Sequence, residues 1–391
     1  MVRRHTPVAP FITQTLYHHC MHTIPFIDTD PRFSEALTRV EILYTDLDGT
    51  LLAPGGSVLA DGLGTPSAST AETITSLART RLKAIPVSGR SRMQLAELTR
   101  LLGWSDFIAE VGAVIVRRPR PGAPAEVAYN NGEWPTTMPA ATGNTAAATP
   151  ENAAATGRAA VGETPYQAIA RAGIADALME AFPGRIEYHA PWDTGSGSSR
   201  ESTHLLRGFL DLEAARTVLD AFHLPTALLD NGPVRTTGTL ACVDGSAPTA
   251  YHLVPRGVSK AQAITLDLKA RGLDRSQAAA IGDSATDLEM ADATGVMVLV
   301  ANAFADPGVC AALSRPTGGL DTPSPPSGST PSDSVSSDSV SSGNTSSCSA
   351  SRNNIWRTHG LRGDGWSEFV RAWLAIAEQG KPPGHRPDRE P

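Results

Sequence analysis

The sequence predicts an α/β fold, in which a parallel-sheet core is interrupted by an inserted α+β domain. Two stretches carry the parallel sheet, about 40–116 and 250–310, where strand-like and helix-like patterns alternate. Strands that alternate with helices pair in parallel through right-handed crossovers. Between the two stretches lie short strand-like runs with two helices among them, the pattern of a separate mixed unit. With 391 residues, 41% hydrophobic and 19% charged, the chain is long and apolar enough for two or three soluble domains.

The first stretch is organised around Val40 to Leu52. Its bulky apolar start reads as a buried parallel strand. Asp and Gly are poor strand residues, so the strand stops near Asp46 and leaves Asp46 and Asp48 at its carboxyl end. Ligands bind at that end of open α/β sheets. Two carboxylates this close repel unless a cation intervenes, so the pair suits a metal site, acid/base work, or both. After a Gly/Pro/Ser-rich loop at 53–69, a helix is expected over Thr70–Arg81 with Ile74 and Leu77 inward, then a strand at Leu82–Val87. Ser88-Gly89-Arg90 opens the next helix, which Gly103 ends, and Phe107–Val116 follows as a strand or strand pair.

Thr164-Pro165, a cap followed by proline at the first helical position, opens a helix expected to reach Phe182. Strands are expected at Arg185–His189, Thr203–Leu210, Leu228–Asp230, Leu240–Val243 and Tyr251–Val254, with a helix at Leu212–Phe222. The α/β pattern returns with a helix from Ser259 to Arg271 closed by Gly272, a strand at Ala278–Gly282, a helix through Ala291 and a strand at Val296–Val300. Phe369, Val370, Trp373 and Leu374 share one side of a last helix, Trp366–Ala377, that should dock on the sheet.

These patterns give an expected division of the chain. Residues 1–36 form a weakly structured extension, 37–117 and 251–314 the two core segments, and 118–250 the inserted domain with a flexible stretch at 135–164. Residues 315–354, where Asp-Ser-Val-Ser-Ser occurs twice in tandem, form a disordered Ser/Pro-rich insert. Residues 355–378 form the closing helix and 379–391 a disordered tail.

A formal net charge of -7 argues against a general nucleic-acid binder. No apolar run approaches the ~20 residues of a membrane span. The scattered Cys20, Cys242, Cys310 and Cys348 fit a reducing cytosol and suggest neither a disulfide framework nor a zinc site. A monomer or weak homodimer is expected. Only four lysines occur, Lys83, Lys260, Lys269 and Lys381, among 33 basic residues.

Four clusters fall at the expected carboxyl ends of core strands or at helix starts beyond them. They are Asp46-Leu47-Asp48-Gly49-Thr50, Ser88-Gly89-Arg90, Lys260, and Gly282-Asp283 with Asp287. The Ser88 hydroxyl and the amides around Gly89 suit an anion at a helix N-terminus. Lys260 in a first helical turn opposes the helix dipole, which suggests that its ammonium holds something anionic. Asp283 and Asp287, four apart, share one side of a helix start. Such oxygen ligands suit Mg²⁺, which binds one or two carboxylates plus a phosphate. One site emerges: acids for a hard divalent metal, and Thr50, Ser88, Gly89 and Lys260 for phosphate oxygens. A carboxylate at Asp46 can then attack phosphorus, while Asp48 moves protons.

The ordered set Asp46-x-Asp48-Gly-Thr, Ser88-Gly-Arg, Lys260 and Gly-Asp283-x-x-x-Asp287 resembles the four motifs of the haloacid dehalogenase (HAD) superfamily of phosphohydrolases. The long insertion between the second and third motifs resembles the type C2 cap of the Cof-like branch, which includes sucrose-phosphate and mannosyl-3-phosphoglycerate phosphatases. Val258-Ser259-Lys260-Ala261 and Asn302-Ala303 are also similar to that branch, and Gly363-Asp364-Gly365-Trp366 to the family's last turn. Thr286 stands where many members have Asn. The resemblance implies a Rossmann-like core, Mg²⁺, an Asp46 nucleophile and an Asp48 acid/base. It implies metal ligation by the Asp46 carboxylate, the Asp48 carbonyl and Asp283, supported by Asp287. The expected activity is hydrolysis of a small phosphorylated metabolite, a sugar phosphate, through an aspartyl-phosphate. A phosphomutase of the phosphomannomutase type or a non-catalytic phospho-ligand sensor is the alternative. From the cap, His189, His204, Arg207 and His252 can reach a substrate, and Arg207 and His204 join Arg90 as expected substrate contacts.

Overall fold

A computed structural model describes residues 24–118, 123–134, 163–195, 199–234, 240, 247–314 and 353–379. The expected inserts at 135–164 and 315–354, the Leu240–Val243 strand and the tail at 379–391 lie almost wholly outside the described residues.

Helix α1 (Pro31–Leu37) precedes the first strand, β1 (Ile42–Thr45). Asp30 caps α1, a proline follows at the first turn, and Phe33 and Leu37 are buried in the core. The expectation of a weakly structured extension to residue 36 therefore fails from about residue 24. Its prolines mark a turn and a helix start rather than an unstructured run, and Phe26 bridges to Arg357. Next come α2 (Ser69–Leu77), β2 (Lys83–Pro86), α3 (Arg92–Leu102) and the short β3 (Phe107–Ala109). Ser91 and Gln94 form a capping box on α3, and Gly103 ends it in the left-handed region. Strands β4 (Val114–Arg117) and β5 (Glu126–Tyr129) continue from β3 as an antiparallel sheet. Val87 and Ile108 join this sheet to the end of β2 through a parallel bridge.

The expected single helix over Thr164–Phe182 is two, α4 (Pro165–Arg171) and α5 (Ile174–Ala181). Gly173, at φ 67°, breaks it. Strand β6 (Ile186–Tyr188), β7 (His204–Gly208), α6 (Leu212–Leu219), β8 (Thr226–Pro233) and β9 (Thr249–Pro255) follow. They form a four-stranded antiparallel sheet in the order β6-β7-β9-β8. One side of it packs on α4, α5 and α6 through Leu206, Tyr251, Leu253, Ile169, Leu178 and Ala215.

Helix α7 (Lys260–Arg271), β10 (Ala278–Gly282), α8 (Ala285–Leu288), β11 (Val296–Leu299) and α9 (Pro307–Ser314) return to the core. Strand β12 (Ile355–Arg357) and α10 (Arg362–Gln379) complete it. The central sheet is parallel in the order β12-β11-β10-β1-β2. The α/β class is borne out, with corrections to the expected divisions: β5 joins β4 rather than the inserted domain, and β9 carries that domain's sheet past residue 250 to Pro255. Residues 355–357 are an edge strand, not the start of the closing helix; a three-residue run is too short to show a period. Trp366, Phe369, Val370 and Trp373 on α10 are buried in the same cluster as Leu43, Leu47 and Leu77. The Trp373 indole N–H donates to the Val40 carbonyl at 3.1 Å. No helix among the described residues is long and apolar enough to cross a membrane.

Candidate active site

Asp46 follows β1, and its backbone N–H still donates to Ile281 of β10. Asp283 follows β10, so parallel pairing of these two strands sets two carboxylates side by side at one sheet edge. Asp287 joins them because Ser284 caps α8 and turns its first residues back toward the strand end. Carboxylate oxygens of Asp46, Asp283 and Asp287 all lie within 4.8 Å of one another. Lys260, at the start of α7, reaches into this group. Its Nζ donates to Asp46 Oδ1 at 2.8 Å and Asp287 Oδ1 at 2.6 Å, and the residue is only 3% exposed. The rare lysine thus sits among the acids, with its own helix starting behind it.

The acids are braced individually. Asp287 Oδ2 accepts the amides of Asp283 and Ser284 and the Ser284 hydroxyl. Thr50 donates its hydroxyl to Asp283 Oδ1 at 3.0 Å, and Asn302 donates to Asp283 Oδ2 at 2.9 Å and to the Gly49 carbonyl. Thr50, expected among the phosphate contacts, is therefore placed as a support of Asp283. Gly49 holds φ at +92°, and a Cβ there would collide with the Asp283 carboxylate. The turn after Asp48 requires glycine on both counts.

Burial pushes the Asp46 carboxyl up to about 7, with Asp287 adding to the rise and Lys260 opposing it. Burial, then the charges of Asp46 and Asp287, drive the Asp283 carboxyl well above its usual range. Burial works against the Lys260 ammonium, but Asp287 and Asp46 outweigh it and hold the group above its ordinary value. Two buried carboxylates and a half-buried one, with a single ammonium, carry excess negative charge when ionised, and all their donors are hard oxygens. This set fits a divalent cation held by Asp46, Asp283 and Asp287.

Asp48 stands apart from the cluster. Its carboxylate is 57% exposed and forms a two-pronged pair with Arg90, at 2.6 and 2.9 Å. Arg90, expected to contact substrate, faces Asp48 instead. Ser88, buried at the end of β2, accepts the Arg90 amide on Oγ and lies one strand over from Asp46. Gly89 lies against the β6-β7-β9-β8 sheet. A Cβ on it would come 2.6 Å from His252 Nε2.

His204 does not reach the site. It faces the inserted domain's own interior, fully buried, stacked on Tyr166 at 3.8 Å and bonded to the Tyr166 carbonyl. Strand alternation explains the correction, since His204 and Leu206 share the face that packs on the helices. Arg207 lies on the opposite face with His252 and pairs with Glu187 at 2.6 Å. Sequence reasoning missed Glu110. It is fully buried at φ 52°, and its carboxylate accepts the amides of Glu201, Ser202 and Thr203 and the Thr203 hydroxyl. This contact ties the β3–β4 turn to the inserted domain. Its only sequence signal was an acid inside an apolar run.

A family model of haloacid dehalogenase-like hydrolases matches residues 235–312, which include Lys260, Asp283 and Asp287. A phosphoglycolate phosphatase of Methanoculleus marisnigri is 34% identical over 132 residues, 34% of this chain and 51% of that protein. A phosphoglycolate phosphatase of Methanothrix thermoacetophila is 31% identical over 99 residues, 25% of this chain and 37% of that one. The chain spans about half or less of the curated relatives it matches. Among solved structures, a Thermoplasma acidophilum protein aligns with TM-score 0.47 at 13% identity, covering 85% of this chain and 98% of that one. The sucrose-phosphatase of Synechocystis sp. PCC6803 aligns with TM-score 0.46 at 12% identity, covering 86% and 98%. The family match bears out the superfamily resemblance over the segment that carries the Lys260 and Asp283/Asp287 motifs.

Proposed function

We propose that this chain, a haloacid dehalogenase-like hydrolase, is a Mg²⁺-dependent phosphatase of a small phosphorylated metabolite. One observation carries the reading: a buried carboxylate, Asp46, held at 2.8 Å by Lys260 beside two further acids. That arrangement supports the reading of a nucleophile, a cation site and a phosphate-binding charge at one sheet edge.

In the proposed reaction an oxygen of the Asp46 carboxylate attacks phosphorus, and the bond from phosphorus to the ester oxygen breaks. Asp48 gives its proton to the departing alcohol oxygen. The resulting aspartyl-phosphate is attacked at phosphorus by water, whose proton returns to Asp48, and the Asp46 carboxylate is released. Asp48 must part from Arg90 to serve in this way. Lys260 holds Asp46 in place and offsets the charge of Asp287, which otherwise repels both Asp46 and the phosphate. The Ser88 hydroxyl and the Gly89 amide bind phosphoryl oxygens, since the Arg90 amide goes to Ser88 Oγ and the Ser91 amide to Gln94. A divalent cation at Asp46, Asp283 and Asp287 would neutralise charge between nucleophile and phosphate.

For the substrate, the β6-β7-β9-β8 sheet sets His252 and Asn231 against Gly89 and carries the Arg207–Glu187 pair on the same face as His252. Mixed donors and acceptors suit the hydroxyls of a sugar phosphate. The names of the curated relatives favour phosphoglycolate as a second reading. Phosphate release from a panel of sugar phosphates and phosphoglycolate, with Mg²⁺ and with EDTA, tests both. Mg²⁺-dependent release from a sugar phosphate above phosphoglycolate supports the first. An isomeric sugar phosphate in place of free phosphate would make the protein a mutase, and binding without turnover a sensor.

A further inference from the structure

His252 is 1% exposed in the middle of β9, opposite Leu205 on β7 and Leu229 on β8. Side chains alternate along a strand, so Tyr251 and Leu253 enter the interior of the inserted domain while His252 faces the core. There it meets the second motif. Its Nε2 would stand 2.6 Å from a Cβ on Gly89 and the Asn231 amide nitrogen 3.6 Å from it, so a glycine is what lets the two approach.

The ring's other nitrogen fixes its chemistry. Arg200 Nη2 lies 3.2 Å from His252 Nδ1. A guanidinium has only donors, so Nδ1 accepts and the proton of the neutral ring sits on Nε2. Arg200 is itself held. It donates to the Thr203 carbonyl and hydroxyl and to the Gly89 carbonyl at 2.9 Å. Thr203 in turn is gripped by Glu110. Burial first, and then the charges of Arg200 and Lys260, keep the imidazole well below its usual range and uncharged. The network leaves one N–H aimed over the phosphate loop, close enough to Lys260 for that charge to be felt.

We propose that His252 is a specificity residue. Its Nε2–H donates to a hydroxyl oxygen of the substrate's alcohol portion, with the Asn231 carboxamide beside it, and Arg200 is the positioning residue that sets the tautomer. This assignment rests on the phosphatase reading. A site built to hydrogen-bond a substrate hydroxyl discriminates against ligands without one, because its buried polar group is then left unpaired.

The test compares wild type, His252→Leu and His252→Gln on the best sugar phosphate and on phenyl phosphate, whose leaving group carries no other hydroxyl. His252→Leu should lower kcat/KM for the sugar phosphate by about tenfold or more, while phenyl phosphate stays within about threefold. His252→Gln, which keeps an N–H near the same place, should recover most of the loss. Retained phenyl phosphate turnover also certifies that the variants fold. Equal losses on both esters, or an unchanged sugar phosphate, would overturn the assignment and leave the phosphatase reading intact. A wild type that hydrolyses neither of these esters nor phosphoglycolate would overturn that reading and this one with it, whereas turnover of phosphoglycolate alone would overturn only this assignment. Nitrogen-15 NMR of histidine-labelled protein, with His252→Gln identifying the signal, should show the proton on Nε2. A proton on Nδ1 would contradict the proposal without any activity measurement.

Discussion

Replacing Lys260 by methionine keeps a chain of similar length and removes the ammonium. In the structure that ammonium touches two buried carboxylates, Asp46 at 2.8 Å and Asp287 at 2.6 Å, with Asp283 beside them. Removing one partner of a buried ion pair leaves uncompensated charge and costs about 3–5 kcal/mol. The loss depends on pH because protonation can relieve it. Asp46 titrates at about 7 in the folded protein against 3.8 when unperturbed. The folded state therefore holds a proton that the unfolded state has lost, and metal-free stability falls as pH rises from about 4 through about 7. Without Lys260 the carboxyls hold protons more tightly still, so this fall steepens. Guanidinium unfolding followed by tryptophan fluorescence, in EDTA, should show the full cost at about pH 8 and a clearly smaller one at about pH 5.5. The same cost at both values, or a gain in stability at about pH 8, would refute the argument that Lys260 offsets ionised acids.

Further outcomes follow from the same geometry. Mg²⁺ competes with protons for these acids, so the rise in Tm it gives should grow between about pH 5.5 and about pH 8; a rise independent of pH would place the ion elsewhere. Gly49→Ala forces a Cβ against Asp283 at a φ that costs about 1–2 kcal/mol. Mg²⁺ titration by thermal shift should show affinity reduced by about tenfold or more, and unchanged affinity would show that Asp283 is not a ligand. Glu110→Gln weakens a carboxylate that accepts four hydrogen bonds, and unfolding should show a loss of about 2 kcal/mol. Trp373→Ala empties a 1% exposed site on α10 and should cost about 3–5 kcal/mol; a loss below about 1 kcal/mol would mean that α10 is not part of the core.

What was legible in the sequence was local. Asp46, Asp48, Ser88, Lys260 and Asp283 each sit beside a helix start or strand end that its own neighbours announce, and strand pairing then brings most of them together. The rarity of lysine singled out Lys260 before any geometry did. The two glycines that close α3 and α7 were readable because a left-handed cap follows from a single residue type. The rest depended on contacts between distant segments. Glu110 gains its role from amides at 201–203, and Arg200 from His252 and Gly89. Neither pairing leaves a periodic trace. His204 and Arg207 looked alike as polar residues in an apolar run. Only register decides which faces the core. Strand β12 is short and follows a long polar stretch, so it shows no alternation of its own. Helix α1 was hidden by prolines that read equally well as breakers and as first-turn residues.

In the proposed reaction Asp46 takes the phosphoryl group. Wild-type protein should be mixed with Mg²⁺ and its best phosphate ester carrying radiolabelled phosphate, quenched in acid within one turnover, and digested. Label is expected on the peptide containing Asp46, and for Asp46→Asn no label and a rate lower by on the order of 10³-fold or more. Label on another residue, or an Asp46→Asn variant that hydrolyses the ester at the wild-type rate, would contradict it.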